Sequence, residues 1–375
     1  MKKYFILLGM LAVAGCTGSR PVQENRIQVG VFDGFGGAQT CIWETVSAIR
    51  LDPGMDVRTV TSAEIAAGVL DSLDAIVIPG GGGSRQYLNL GEANVQRIKQ
   101  FVANGGGAVG ICAGAYLFSD TPGYTCLSLN GAQAIDIEHD NRGHGISKFT
   151  LTEEGKALFP EVAGRDTLYV MYYEGPVFIP REGSEVAFDT FAVMESDVHE
   201  EGNAPAGMTC GKPFYIGNTY GKGRVFSSIA HPEATPGMMW MVPRMVRWTL
   251  DLPAVEYASG AVNPDRFNRE ILMTIDDLKY ESGCLRPLMY GDAQEKLTRL
   301  EWLYDHHSWD AKRWIQGLVY DADPAVRLRA AQYIAGIQYL RYLDDVKAAC
   351  ATETDPEIRP GMESALLALQ ALLPE

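Results

Sequence analysis

From Arg26 to Leu117 short apolar runs alternate with stretches of helical spacing. Arg26 to Phe32 is apolar and is closed by Asp33-Gly34-Phe35-Gly36-Gly37, after which Ala38 to Arg50 carries its apolar residues at helical intervals. Met55 to Val60 predicts the next strand, and Thr61-Ser62-Ala63-Glu64, with Ser/Thr ahead of Glu, predicts a capped helix start. Ala75 to Ile78 is a third run, ended by Pro79-Gly80-Gly81-Gly82-Gly83, and Glu92 to Val102 follows as a helix. Gly105-Gly106-Gly107-Ala108-Val109-Gly110-Ile111 then runs up to Cys112 and a helical Ala113 to Leu117, which reads as strand, sharp turn and helix. Strands alternating with helices imply an α/β fold: a parallel sheet covered on both faces, binding ligands at the carboxyl ends of its strands.

Further on, Thr167 to Tyr173, Val186 to Val193 and Pro213 to Tyr220 are strand-like, the last turning at Gly221-Lys222-Gly223. They predict a mainly β insertion that walls the site. Pro236 to Leu250 reads as a Met- and Trp-rich closing helix, and residues 252–265, holding Pro253, Gly260 and Pro264, as a linker. Beyond it the texture is helical. Asp323-Pro324-Ala325-Val326-Arg327 recurs as Asp355-Pro356-Glu357-Ile358-Arg359, and each copy precedes an apolar helical pattern, which resembles HEAT-like repeats. An unrelated helical bundle is the plainer alternative. The tail, residues 266–375, is expected to be a docking module for a protein partner and to contribute nothing to the triad.

That chemistry centres on Cys112, framed as Gly-x-Cys-x-Gly. A nucleophile on such a turn is presented at the end of the sheet, and the helix after it directs its amide groups at the sulfur, which favours the attacking thiolate. If the Ala75–Ile78 strand lies beside it, the glycine loop can aim backbone N–H groups at the oxyanion formed when a thiolate attacks a carbonyl. No Gly-Lys-Ser/Thr follows that loop, so it is not a Walker loop. Val225 to Ala230 delivers His231-Pro232-Glu233 at a strand end; imidazole can shuttle the thiol proton while a carboxylate fixes its tautomer.

Pro-Gly-Gly, Gly-x-Cys-x-Gly and His-Pro-Glu in this order resemble the class I glutamine amidotransferase superfamily, with its flavodoxin-like sheet. The resemblance implies a triad of Cys112, His231 and Glu233, with Gly81 and Ala113 N–H groups as oxyanion donors and Gly82 beside them. Asn89 to Asn94, Cys112-Ala113-Gly114-Ala115-Tyr116 and Tyr172-Tyr173-Glu174-Gly175-Pro176-Val177-Phe178 are similar to the amidotransferase-like domain at the N-terminus of biotin-protein ligases. That likeness covers residues 27–251 and places Glu174 in the pocket wall, where the family pattern has Asn-Gly-Gly after the paired tyrosines. Nothing resembles the ligase's own catalytic domain, so biotin ligation is not expected.

The first residues change the picture of where this happens. Lys2 and Lys3, an apolar stretch too short to span as a stable helix, and Val13-Ala14-Gly15-Cys16 match a bacterial lipoprotein box: signal peptide 1–15, acylated Cys16 and a polar tether to residue 26. The expected location is the cell envelope, facing the periplasm or exterior. A net charge of −15 argues against nucleic acid as a partner. With Cys16 lipidated and Cys112 free, five of the seven cysteines remain, an odd number that denies a complete disulfide framework; Cys126 with Cys210 is one conceivable bridge, reduced core cysteines the simpler expectation. Asp136, Glu138, His139, Asp140 and His144 match no zinc spacing and read as a solvated loop. No cofactor or metal is expected. The sequence therefore reads as a cysteine-dependent hydrolase of a small-molecule or peptide amide, or else as a binding or scaffold lipoprotein that keeps the pocket without turnover.

Overall fold

The strands of the computed structural model, which describes residues 26–374, are β1 (Ile27–Phe32), β2 (Met55–Val60), β3 (Ala75–Ile78), β4 (Gly107–Ile111), β5 (Ala132–Ala134), β6 (His144–Leu151), β7 (Leu168–Tyr173), β8 (Phe178–Pro180), β9 (Asp189–Met194), β10 (Pro213–Tyr220), β11 (Gly223–Ser228) and β12 (Ile271–Leu272). Cys16, the signal peptide and nearly all of the tether lie outside the described residues. Ten strands make one sheet in the order β12-β6-β9-β10-β11-β4-β3-β1-β2, with β7 also on β6, while β5 and β8 form a separate ribbon. From β2 to β11 the pairing is parallel, and from β11 outward it is antiparallel.

The β3 sequence Ala-Ile-Val-Ile is apolar throughout because both faces are covered. Ala75 and Val77 pack in a cluster with Ile42, Ile49, Val242 and Val246; Ile76 and Ile78 pack with Ile98, Val102, Leu117 and Phe118 on the other side. A strand buried on both faces has no polar side to show, which is why its pattern is a continuous run rather than an alternation. The Thr61 capping box forms as expected. The helix expected from Glu92 is the second half of Gly83–Ala103, which breaks at Gly91 (φ 71°, ψ 155°).

β3 does lie beside β4, with Ile78 opposite Gly110, and β11 flanks β4 on the other side. The glycines around Cys112 answer to this crowding. A Cβ on Gly110 would meet Gly114 O at 2.6 Å, and one on Gly114 would meet Ile78 O at 2.0 Å. Since the obstacle is backbone, Gly114→Ala is expected to destabilise the chain by about 1–3 kcal/mol, read from its urea midpoint.

The insertion is mainly β, and it continues the central sheet. β10, β9 and β6 extend it, and β7 reaches back to the site: His231 N–H donates to Met171 O at 2.7 Å, and Met171 N–H donates to Thr235 Oγ1 at 2.8 Å.

The tail re-enters the same sheet through β12, which pairs antiparallel with β6. Its helices include Ile275–Tyr290, Ala293–Asp305, Pro324–Gly336, Leu343–Thr352 and Arg359–Gln370. The two Asp-Pro copies act differently. Asp323 caps its helix, accepting from Ala325 and Val326 N–H with Pro324 in the first turn, whereas after Asp355 the helix starts only at Arg359. Lys312 of the tail pairs with Glu44 on the Gln39–Ile49 helix, both side chains enclosed. Among the described residues, no helix is long and apolar enough to cross a membrane.

Candidate functional site

Three strand ends meet at one point. β4 ends at Ile111 and the chain turns at Cys112 with φ 52° and ψ −106°, a strained backbone for a residue with a Cβ. The turn is held from below, since Cys112 N–H donates to Ser228 O at 2.8 Å. β11 ends at Ser228, and three residues later His231 faces the same space; β3 ends in the glycine loop. They open into a cavity of about 460 Å³ whose lining includes Gly81, Gly82, Cys112, Ala113, Glu174 and His231, a size that suits a small ligand.

His231 Nδ1 and Glu233 Oε1 are 2.7 Å apart in a buried pair, the arrangement that leaves Nε2 for the thiol. Burial works against charge on this ring, but the Glu233 carboxylate and the nearby Cys112 outweigh it and hold the imidazole pKa well above its ordinary value. Nε2 has no hydrogen-bond partner. In this resting arrangement the Cys112 thiol donates instead to Tyr173 O at 3.3 Å, so alignment with Nε2 requires rotation of the sulfur. The helix after the turn is only Ala113–Phe118, so His231 is the main proton partner.

The backbone donors sort themselves. Gly82 N–H is committed to Gly36 O at 2.7 Å, so Gly82 shapes the wall and donates nothing. Gly81 and Ala113 N–H have no acceptor among the described residues.

The solvated loop expected around residues 136–144 is corrected. Asp136 and Arg142 form a wholly buried ion pair at 2.6 Å, and Asp136 also accepts from Tyr116 OH at 2.5 Å and Val177 N–H at 2.9 Å. A carboxylate with this many donors is tolerated inside a protein. Arg142 and Tyr172 OH both donate to Gly175 O, which clamps the turn that carries Glu174. His144 is buried and stacks on Tyr173 with ring centroids 4.2 Å apart. Of the five residues named for that loop, Glu138 and Asp140 are exposed. Glu174, at φ 50°, has its carboxyl pushed up to about 7 by burial and by Glu201.

Two groups were not foreseen. Cys41 stands in the same cavity, its thiol raised to about 11 by burial, and so is no competing nucleophile. The tail supplies no triad residue, but it does reach the cavity. Trp309, Asp310 and Arg313 line the cavity, and the Trp309 ring meets the His231 ring edge-on at 4.5 Å. Cys126 and Cys210 are both free.

The model of the family described as "Biotin-protein ligase, N terminal" matches residues 27–245, more than half of the chain. The chain belongs to this biotin-protein ligase N-terminal family. Its matched region holds β1 to β11 and every triad residue, while the cavity wall supplied by Trp309 lies outside it. No curated protein matches the sequence significantly. Solved structures similar in chain path include a ThuA-like protein from Parabacteroides merdae (15% identity, 64% of this chain and 95% of that one, TM-score 0.44). Another is a ThuA-like protein from Bacteroides uniformis (11% identity, 62% and 94%, TM-score 0.44). A β-galactosidase from Bacillus circulans sp. alkalophilus is similar over 65% of this chain and 33% of its own (12% identity, TM-score 0.37). Similarities at this level carry no information on activity.

Proposed function

We propose that this family member is a cysteine-dependent hydrolase of an amide or related acyl bond, held to the cell envelope through acylated Cys16 and facing the periplasm or exterior. One observation carries the reading: a strained cysteine, an imidazole paired with a buried carboxylate, and two unengaged N–H groups open into one cavity. Cys112 adds to the substrate carbonyl, and Gly81 and Ala113 N–H hold the oxyanion. The imidazolium of His231 protonates the leaving amine, then the neutral ring draws a proton from water, which releases the acid and restores the thiol. Glu233 keeps the ring oriented throughout. Hydrolysis is favoured over transfer because an amidotransferase hands ammonia to a synthase acting on activated substrates, which an extracytoplasmic chain lacks.

The Cys112 to Tyr173 O hydrogen bond favours a second reading, a binding or scaffold lipoprotein whose sulfur never swings to His231. Turnover of acyl or amide substrates by the purified chain, absent in Cys112→Ala, supports the hydrolase; ligand binding without turnover supports the scaffold. Glu174 should mark the pH profile of KM with an inflection near 7, neutral below and anionic above, and Glu174→Gln should remove it. Exposed apolar residues of the tail, among them Tyr290, Tyr320 and Leu367, support docking of a protein partner there.

A further inference from the structure

We propose that Cys41, His231 and Glu233 form a binding site for a thiophilic divalent cation of the zinc type, entering where Glu233 meets His231 Nδ1, and that the bound ion leaves the ring's one proton on Nε2, which can then no longer accept that of Cys112. Among the described residues, Cys41 Sγ, a ring nitrogen of His231 and a carboxylate oxygen of Glu233 lie within 4.8 Å of one another, all in buried side chains. Small side-chain rotations close such a set onto one ion, since zinc holds sulfur at about 2.3 Å and imidazole nitrogen or carboxylate oxygen at about 2.0–2.2 Å.

The second observation is what these side chains leave over. His231 Nε2 and Glu233 Oε2 are enclosed without a hydrogen-bond partner, in residues only 2% and 1% exposed. Buried polar atoms are normally paired; Nε2 is left for the Cys112 thiol, whereas Glu233 Oε2 has no partner that the protein supplies. Gly80 makes the approach possible, because a Cβ there would lie 2.7 Å from His231 Cε1 and 3.0 Å from Cys41 Sγ.

The donor set selects the ion. Sulfur, nitrogen and oxygen together suit zinc or cobalt, whereas calcium and magnesium take oxygen alone. Three protein ligands leave a fourth position, as in zinc sites that are open to a ligand, and Cys41 and His231 both line the cavity that Cys112 lines. Cys41 gains a role that the triad does not give it. That an ion blocks turnover rests on the hydrolase reading above; its binding does not.

Cobalt(II), added to the full chain and followed by absorption, tests the site. One equivalent should give a thiolate-to-cobalt charge-transfer band that zinc abolishes by displacement. Cys41→Ser should lose the band and weaken zinc binding more than about 100-fold, since even outer-shell partners are worth 10–100-fold. Cys112→Ser should keep it. Glu233→Gln, which preserves shape, should weaken zinc binding while leaving a thiolate band, and serves if Cys41→Ser does not fold. Absence of the band at stoichiometric cobalt, its survival in Cys41→Ser, or zinc affinity unchanged in Glu233→Gln overturns the proposal. The spectrum is read without turnover, so a missing band leaves the hydrolase reading intact, and a missing hydrolysis leaves the ion site intact.

Discussion

Lys312→Met is expected to destabilise the full chain by about 3–5 kcal/mol at neutral pH, because it leaves the Glu44 carboxylate buried without its partner. Urea unfolding monitored by tryptophan fluorescence reads this directly. Glu44 already shows the strain of its position: burial raises its carboxyl from 4.5 to about 6 even with Lys312 pulling it down. A folded-state value above the unfolded one means that the native chain takes up this proton more readily. The group's contribution is therefore most favourable below about 4.5 and is lost as pH rises through about 6, a change of about 2 kcal/mol. Without Lys312 the value climbs further, so the variant should be penalised more at about pH 8 than at about pH 5. Replacing both partners with apolar residues, Glu44→Leu with Lys312→Met, should recover most of the loss. A cost below about 1 kcal/mol for Lys312→Met would mean that the tail is not docked as described. The same variant should lower activity, since Lys312 sits in the turn that carries Trp309 and Asp310 to the cavity. The tail is then part of the site's wall, and a chain cut near Leu252 would expose Glu44 and the His231 ring.

How far the sequence disclosed this depends on the range of each contact. The β3-β4 adjacency was legible because an apolar run ending in glycines beside an apolar run ending in cysteine has few other ways to form a ligand site at strand ends. The His231–Glu233 pair was legible because two residues of spacing at a strand end keep both on one turn. Cys41 was not legible. Its position depends on where the Gln39–Ile49 helix lands after the Gly36-Gly37 turn, and nothing local marks it out. Trp309 was hidden for a further reason: the recurring Asp-Pro starts suggested a separate solenoid, while the features tying the tail down, among them a two-residue strand, a buried lysine and the Gln338 side chain accepting from Gly237 N–H, carry no local signal. Asp136 was misread, and its partner Arg142 passed over, because charged residues in sequence mean solvent unless a full set of partners awaits them. Here Tyr116, Val177 and Gly175 supply those partners, from places no spacing rule connects.

The second large effect concerns Cys112 itself. An ordinary thiol is almost wholly protonated at about pH 6.5 and alkylates slowly, so rapid labelling there requires a neighbour that holds the proton. His231 is that neighbour, with its orphaned Nε2 and a ring kept charged by Glu233. In Cys112, an elbow sulfur at the floor of an open cavity, the reaction with iodoacetamide should be fastest among the described cysteines, by roughly 10–100-fold over Cys41 and Cys350, which burial keeps protonated. His231→Ala should slow it about 10-fold or more by removing the proton's destination, and Glu233→Gln should slow it less, through loss of ring orientation.

Site-resolved alkylation rates, read by mass spectrometry at about pH 6.5 for the wild type and His231→Ala, test the central claim most directly. The triad account predicts that Cys112 labels first and that the substitution at His231 slows Cys112 alone. Labelling of Cys112 no faster than Cys350, and unchanged in His231→Ala, would contradict it.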